Sequence, residues 1–301
     1  MLSAQYAERG HWRRNLAAPN LNAWHFFGTL PDGPREQHAI RSNYRYIDLR
    51  LEPPRATVTL ACPDTGNRIT QAMAEELRQV CRQLREQDHI HLAVLTGSGN
   101  SFSVGREEAP QKAGSGPAPA RDAWMEQRRV AGAVAALPMP VVAVLNGDAL
   151  DHGLELALAA DLRVASASAM LGITDLAAGR FPWDGGIQRL ARLAGLAWAR
   201  DMVLTGRVVS AQEALELGLV NRVAANDSVE VEMEALARQM LAAGPIAARY
   251  VKEAIVQGAD LTLPQALRLE ADLSVILQTT TDRAEGIQSF KERRKPRFTN
   301  R

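Results

Sequence analysis

Apolar positions change period along the chain, and the changes mark the elements. Residues 46–52 and 55–62 are short β-rich runs joined by Pro53-Pro54, which predicts an antiparallel pair with a tight connection. Thr70 can cap a helix, and Met73, Leu77, Val80 and Leu84 then recur at three and four residues, predicting one amphipathic helix through Asp88. Leu92-Ala93-Val94-Leu95 is continuously apolar and reads as a buried strand followed by a loop over 96–105. A Gly/Pro/Ala/Ser-rich stretch at 113–120 reads as mobile, and a helix over 122–137 follows it. Next come a strand at 141–145, a loop at 146–153, a short helix at 154–160 and a strand at 162–165. Strands alternating with helices predict an α/β fold with right-handed crossovers. Beyond Gly186 the chain reads as mostly helical, with segments at 196–204, 211–217, 229–243, 245–256 and 264–290 and no visible internal repeat. Residues 1–45 differ: Trp12, Trp24, Phe26 and Phe27 sit among Pro, Asn, Gly and Arg without periodicity. Aromatics are rare in free tails, so this segment is expected to pack on the body or on a neighbouring subunit.

Composition narrows the function classes. The 301 residues are 46% apolar, enough for a sizeable core. With 35 basic and 34 acidic side chains the formal net charge is +1, which provides no global field for a polyanion and argues against a nucleic-acid or membrane-surface partner. Cys62 and Cys81 are the only cysteines, too few for a disulfide framework or a sequence-close thiolate metal site, so a reduced, cytoplasmic setting is expected. No uncharged apolar run of about 18 residues suggests a membrane span. Among the histidines only His89 and His91 are close together; without a third ligand they read as loop histidines, and no metal site is expected.

Two loops each follow a predicted buried strand and set glycine beside an expected helix start. They are Phe102-Ser103-Val104-Gly105-Arg106-Glu107-Glu108 and Asn146-Gly147-Asp148-Ala149-Leu150-Asp151-His152-Gly153-Leu154-Glu155. Free backbone N–H groups after Gly105, and at the helix start near His152, are the kind of donor pair that stabilises a developing oxyanion, because fixed dipoles need no reorganisation. Turn geometry alone accounts equally for such glycines.

Together with LTGRVVSAQEALELGLVNRV (204–223), the NG-x-A-x-x-G-x-E-L-A-x-A-x-D-L-R-x-A run (146–165) and AEGIQSFKERRKPRF (284–298), these loops resemble the enoyl-CoA hydratase/isomerase (crotonase) superfamily, from about Tyr46 to Phe298. The resemblance implies an α/β crotonase-like spiral of ββα turns with roughly perpendicular sheets and a C-terminal helical trimerisation region. The organisation expected is an N-terminal extension (1–45), a ββα core (46–205) and a helical region (206–301). It further implies an acyl-CoA thioester held as its enolate, no cofactor beyond the substrate's own CoA, and a homotrimer or homohexamer.

Carried over by position, the oxyanion donors fall on the N–H groups of Arg106 and His152. The family's three-glycine run reads Asp151-His152-Gly153 here, so an imidazole stands beside the thioester pocket or the backbone there is altered. A neutral imidazole can take part in proton transfer; the alternative is a His152 that faces solvent or a subunit contact. The family's two water-activating glutamates fall on Glu155 and Asp175. Aspartate shortens the second by one methylene, which puts ordinary hydration in question. Asp184, in Phe181-Pro182-Trp183-Asp184-Gly185-Gly186, resembles a third acid found in dienoyl-CoA isomerases and some carbon–carbon hydrolases. Converging like charges would raise one carboxyl's pKa. Otherwise Asp184 caps the helix begun at Gly185, and Glu155 merely serves its own helix N-terminus.

Val104, Gly105, Glu107 and Trp183 are expected to line the substrate pocket, while Phe290 and Arg293 match positions that meet the CoA of a neighbouring subunit. Hydration suits the Glu155–Asp175 pair best. Isomerisation, carbon–carbon hydrolysis or decarboxylation suit the departures, and a non-catalytic acyl-CoA-binding subunit is the reading from another class.

Overall fold

In this computed structural model the described residues are 40–41, 44–107, 122–123 and 125–301, all within the unit Gln37–Arg301. The proposed extension lies outside them as far as residue 39, and so does the Gly/Pro/Ala/Ser-rich stretch.

A seven-stranded sheet runs in the order β1 (Ile40–Arg41), β2 (Ile47–Glu52), β3 (Arg55–Leu60), β4 (Leu92–Gly97), β6 (Val141–Leu145), β8 (Leu162–Ser166) and β11 (Arg222–Ala224). Its first pairings are antiparallel, as expected for β2 and β3, and those from β3 to β11 are parallel. A four-stranded sheet runs β10 (Val208–Ser210), β9 (Met170–Gly172), β7 (Asp148–Leu150) and β5 (Ser101–Ser103). In sequence the pairs β4–β5, β6–β7 and β8–β9 each place one strand in the large sheet and the next in the small one. This is the ββα spiral, and it is a structural repeat that the sequence conceals. The three-residue strands carry no periodicity, so β5 and β7 lie inside segments that read as loops.

The parallel strands look continuously apolar because both faces of the large sheet are covered. Ala93, Leu95, Ala143, Leu145 and Ala165 join the main core, whereas Leu92, Val94, Val142, Val144 and Val164 pack with Val229, Leu236 and Ala237 of α7 (Val229–Leu241). On the other side α1 (Gln71–Arg85) buries Met73, Leu77, Val80 and Leu84, and Thr70 accepts the Met73 N–H as its cap.

Three helical expectations need correction. The predicted helix at 122–137 is interrupted: 122–123 and 125–126 are helical, a turn follows, and α2 (Ala131–Ala135) starts afresh, capped from a distant loop as described below. The short helix begins earlier than expected: α3 spans His152–Ala157. The segment at 264–290 is two helices, α9 (Leu263–Leu277) and α10 (Thr281–Lys291), because Thr280 accepts the Arg283 N–H and starts a new helix. The chain beyond Gly186 also supplies β10 and β11 besides α4 (Gly186–Ala194), α5 (Leu196–Thr205), α6 (Ala211–Glu216) and α8 (Pro245–Gly258), so sheet formation extends past residue 205.

Candidate active site

Strands β5, β7 and β9 are neighbours running parallel, and their C-terminal ends deliver the site. Arg106 follows β5, Asp151 and His152 follow β7 and lead into α3 with Glu155, and Asp175 follows β9. The loop before α4 adds Trp183 and Asp184. Loops beyond strand C-termini are where open α/β sheets gather chemistry.

The two proposed oxyanion donors stand on adjacent loops, since a Cβ on Gly105 would lie 3.6 Å from Asp151 Oδ2. Arg106 bridges Ile69 in parallel fashion through the Gly105 carbonyl and the Glu107 N–H, which turns its own N–H away. Neither the Arg106 nor the His152 N–H finds an acceptor among the described residues. At the Asp151-His152-Gly153 turn the last position has no room for a side chain: a Cβ there would come within 2.0 Å of the Ser103 carbonyl oxygen. Asp151 takes φ 50° and ψ −121°, outside the left-handed helical region and in a conformation that glycine adopts readily and a residue with a Cβ adopts only under strain. Its carboxylate is held by the Thr174 N–H at 2.6 Å, the Thr174 hydroxyl and Arg180 at 3.6 Å.

Glu155 is wholly buried. Its Oε2 accepts the N–H groups of Asp184 (2.8 Å) and Gly186 (2.9 Å), while Oε1 has no hydrogen-bond donor among the described residues. Burial is the main reason its carboxyl is raised above the ordinary carboxylate range, with the Asp184 charge a lesser contribution. The expected like-charge effect is therefore secondary to desolvation.

Asp175 is buried between two arginines. Its Oδ1 accepts Arg180 Nε at 2.8 Å, and its Oδ2 lies 3.3 Å from Arg106 Nη1, which is also 3.9 Å from Glu155 Oε1. The Arg106 guanidinium further donates to the Phe181 carbonyl and sits 5.4 Å from the centre of the Trp183 ring. Sequence reasoning assigned only the backbone of Arg106 and passed over Arg180 and the side chain of Asp151. An aspartate in place of a turn glycine was the one available signal for the last of these.

His152 is 0% exposed, so it faces neither solvent nor a partner. Its Nε2 lies 3.0 Å from Asp184 Oδ2, its ring packs 5.4 Å from that of Trp183, and its Nδ1 has no partner among the described residues. Asp184 does not cap α4. Its Oδ2 accepts the N–H groups of Val130 (2.7 Å) and Ala131 (2.8 Å) and so caps α2. Burial alone would raise its carboxyl, but the hydrogen bond with His152 and these two N–H groups hold it below the ordinary value.

Among the remaining expected residues, Val104 packs under Gly66, Glu107 is exposed, and Phe290 is 84% exposed at the end of α10 with Arg293 just beyond. The chain does not bring Phe290 and Arg293 into contact with the carboxylate cluster. A 470 Å³ cleft lined by Gly99, Asn100, Asn146, Ser168, Asn226 and Asp227 holds none of the site residues.

Comparison with known proteins shows the family. The family profile described as enoyl-CoA hydratase/isomerase matches residues 55–301. YngF of Bacillus subtilis is 36% identical over 240 residues, 80% of this chain and 92% of that protein. A crotonyl-CoA hydratase of Syntrophomonas wolfei is 30% identical over 258 residues, covering 86% of this chain and 99% of its own. The crystal structure of an enoyl-CoA hydratase from Bacillus anthracis superposes with a TM-score of 0.80 at 36% identity, covering 85% of this chain and all of that one.

Proposed function

The chain belongs to the enoyl-CoA hydratase/isomerase family, the crotonase superfamily, and on that premise we propose that it adds water across the double bond of a 2-enoyl-CoA thioester with Glu155 Oε1 as the principal proton acceptor. The single observation that carries this reading is the state of Glu155: one carboxylate oxygen is locked by two backbone N–H groups and the other is buried and uncommitted. A positioned base of raised pKa is suited to take a proton from water near neutrality.

In the proposed reaction Glu155 removes a proton from water as its oxygen bonds to C3 of the enoyl group. The electron pair of the double bond moves toward the thioester carbonyl, and the resulting enolate oxygen is met by the N–H groups of Arg106 and His152. C2 then takes up a proton, completing the addition. Trp183 closes one side of the acyl site, packed on Arg106 and His152. Asp175 is tied to Arg106 and Arg180, which makes it a counter-charge rather than a free acid/base.

Assembly into a trimer or a dimer of trimers is part of this reading. It is supported by apolar side chains left exposed along α8 to α10, among them Ile255, Leu263, Val275 and Phe290. In such an assembly Phe290 and Arg293 would meet the CoA of a neighbouring subunit.

The test is hydration of short 2-enoyl-CoA esters by the wild type and by Glu155→Gln. The variant should lose about 10²–10⁴-fold in kcat with little change in KM. Retention of more than about half of wild-type kcat would move the chemistry away from Glu155.

A further inference from the structure

Four buried side-chain polar atoms without a hydrogen-bond partner among the described residues belong to this one site: Glu155 Oε1, Arg106 Nη1, Asp175 Oδ2 and His152 Nδ1. The Arg106 and Asp175 atoms neutralise each other at 3.3 Å. Glu155 Oε1 is the base already assigned. His152 Nδ1 has no such account, and a buried polar atom left unpaired destabilises the fold, so its retention points to a use.

Building on the hydratase reading, we propose that His152 Nδ1 is the second proton-transfer group of the reaction, exchanging a proton with C2 of the acyl chain, and that Asp184 is its positioning residue. Asp184 Oδ2 already accepts two backbone N–H groups and is an ionised acceptor. Across 3.0 Å it requires a proton on His152 Nε2, and a neutral ring with a proton there has a bare lone pair on Nδ1. A third group that orients an imidazole through one nitrogen and frees the other is how enzymes prepare a histidine base.

The position of Nδ1 follows from covalent geometry. It is four bonds from the backbone nitrogen of the same residue, so the two lie within roughly 5 Å of each other. That backbone N–H is one of the two proposed to hold the enolate oxygen, and C2 is bonded to the carbon that bears this oxygen. The ring is wholly buried and flanked by Trp183, which keeps bulk water from Nδ1.

The protons balance. In the elimination direction Nδ1 takes the C2 proton, the enolate forms, and protonated Glu155 delivers its proton to the departing hydroxide at C3. In the hydration direction ionised Glu155 takes a proton from water and the imidazolium returns one to C2. The pair holds one shared proton in either direction. The arrangement also explains how the chain can hydrate with its second family carboxylate shortened to Asp175 and tied between two arginines.

Two variants and one direct measurement test the proposal. His152→Ala keeps the backbone donor and removes only the ring; we expect a loss of 10²-fold or more in kcat, a small change in KM, and partial restoration by added imidazole. In Asp184→Asn the amide oxygen stays with the Val130 and Ala131 N–H groups. That same oxygen faces Nε2, so the Nε2–H tautomer is kept while the ring loses its anionic partner, and kcat should fall by less than in His152→Ala. On the full-length protein labelled with ¹⁵N-histidine, the resonance lost in His152→Ala should show, in the neutral form of the ring, an unprotonated Nδ1. A wild-type Nδ1–H tautomer, or His152→Ala retaining more than half of kcat, overturns the proposal. So does a folded His152→Ala, checked by thermal unfolding, whose lost activity imidazole does not restore. The hydratase reading falls separately, if the wild type turns over no 2-enoyl-CoA, and the NMR arm then still decides the tautomer.

Discussion

Gly186 and Glu155 touch backbone to side chain: a Cβ on Gly186 would come within 2.5 Å of Glu155 Cγ, and the Gly186 N–H donates to Glu155 Oε2 at 2.9 Å. The start of α4 is therefore the wall that aims the carboxylate. Gly186→Ala should push Glu155 off this position. Overpacking typically costs about 1–3 kcal/mol, measurable by urea unfolding. A shift of about 1 Å in a reacting group should cost on the order of a hundredfold in kcat. Unchanged kcat in this variant would show that the Glu155 position is not critical.

The two buried acids respond oppositely to pH. Glu155 has a raised folded-state pKa, so the unfolded chain releases its proton first, and the stability associated with this group is lost as pH rises through the folded value. Glu155→Gln, which can still accept both N–H groups, should match the wild type in acid and become the more stable protein toward neutral pH. Asp184 has a lowered pKa, so its contribution is present above the unfolded value and lost as pH falls through the folded one. Asp184→Asn should be less stable than wild type at neutral pH, with the gap closing in acid. Thermal unfolding of the three proteins across pH checks both signs.

Arg106 separates two buried carboxylates, standing 3.3 Å from Asp175 and 3.9 Å from Glu155. Removing one member of a buried ion pair leaves an uncompensated charge, so Arg106→Met should cost about 3–5 kcal/mol. In an Asp175→Asn background the same change should cost markedly less, because the charge it strands is gone. Equal costs in the two backgrounds, read from denaturant midpoints, would mean that Arg106 acts through packing against Trp183.

The exposed apolar side chains of α8 to α10 should be covered in solution. Sedimentation at micromolar concentration is expected to show a trimer or hexamer. A species of 32.8 kDa alone would exclude the assembly and the role given to Phe290 and Arg293 with it.

Thr280 separates α9 from α10 by capping the latter. Thr280→Ala should destabilise the protein by about 0.5–2 kcal/mol in chemical unfolding, the ordinary cost of losing a helix cap. No loss would mean that the break is maintained by packing alone.

Much of the frame was legible before any coordinates. Thr70 with its three-and-four periodicity marked α1, and the unbroken apolar runs at Leu92 and Val141 marked strands covered on both faces. The motif residues located Arg106, His152, Glu155, Asp175 and Asp184 on their respective segments, and the family match supports the frame those motifs implied. Helix ends and the short strands were less legible, because a three-residue strand has no period and the 264–290 segment is apolar enough to read as one helix.

What the sequence by itself determined was therefore which of the longer elements form and which residue types lie on the segments that carry the site. Both follow from local propensity and side-chain pattern along the chain. What each acid does there was decided only by tertiary structure. Asp184 is committed to the N–H groups of Val130 and Ala131, more than fifty positions away in sequence, and to His152. Asp175 is committed to Arg106 and Arg180. Glu155 keeps one oxygen without a hydrogen-bond partner among the described residues, 3.9 Å from Arg106. The physical reason is that a buried charge takes its properties from the donors and cations within about 4 Å of it. Three-dimensional packing brings those partners together, and no spacing along the chain encodes them.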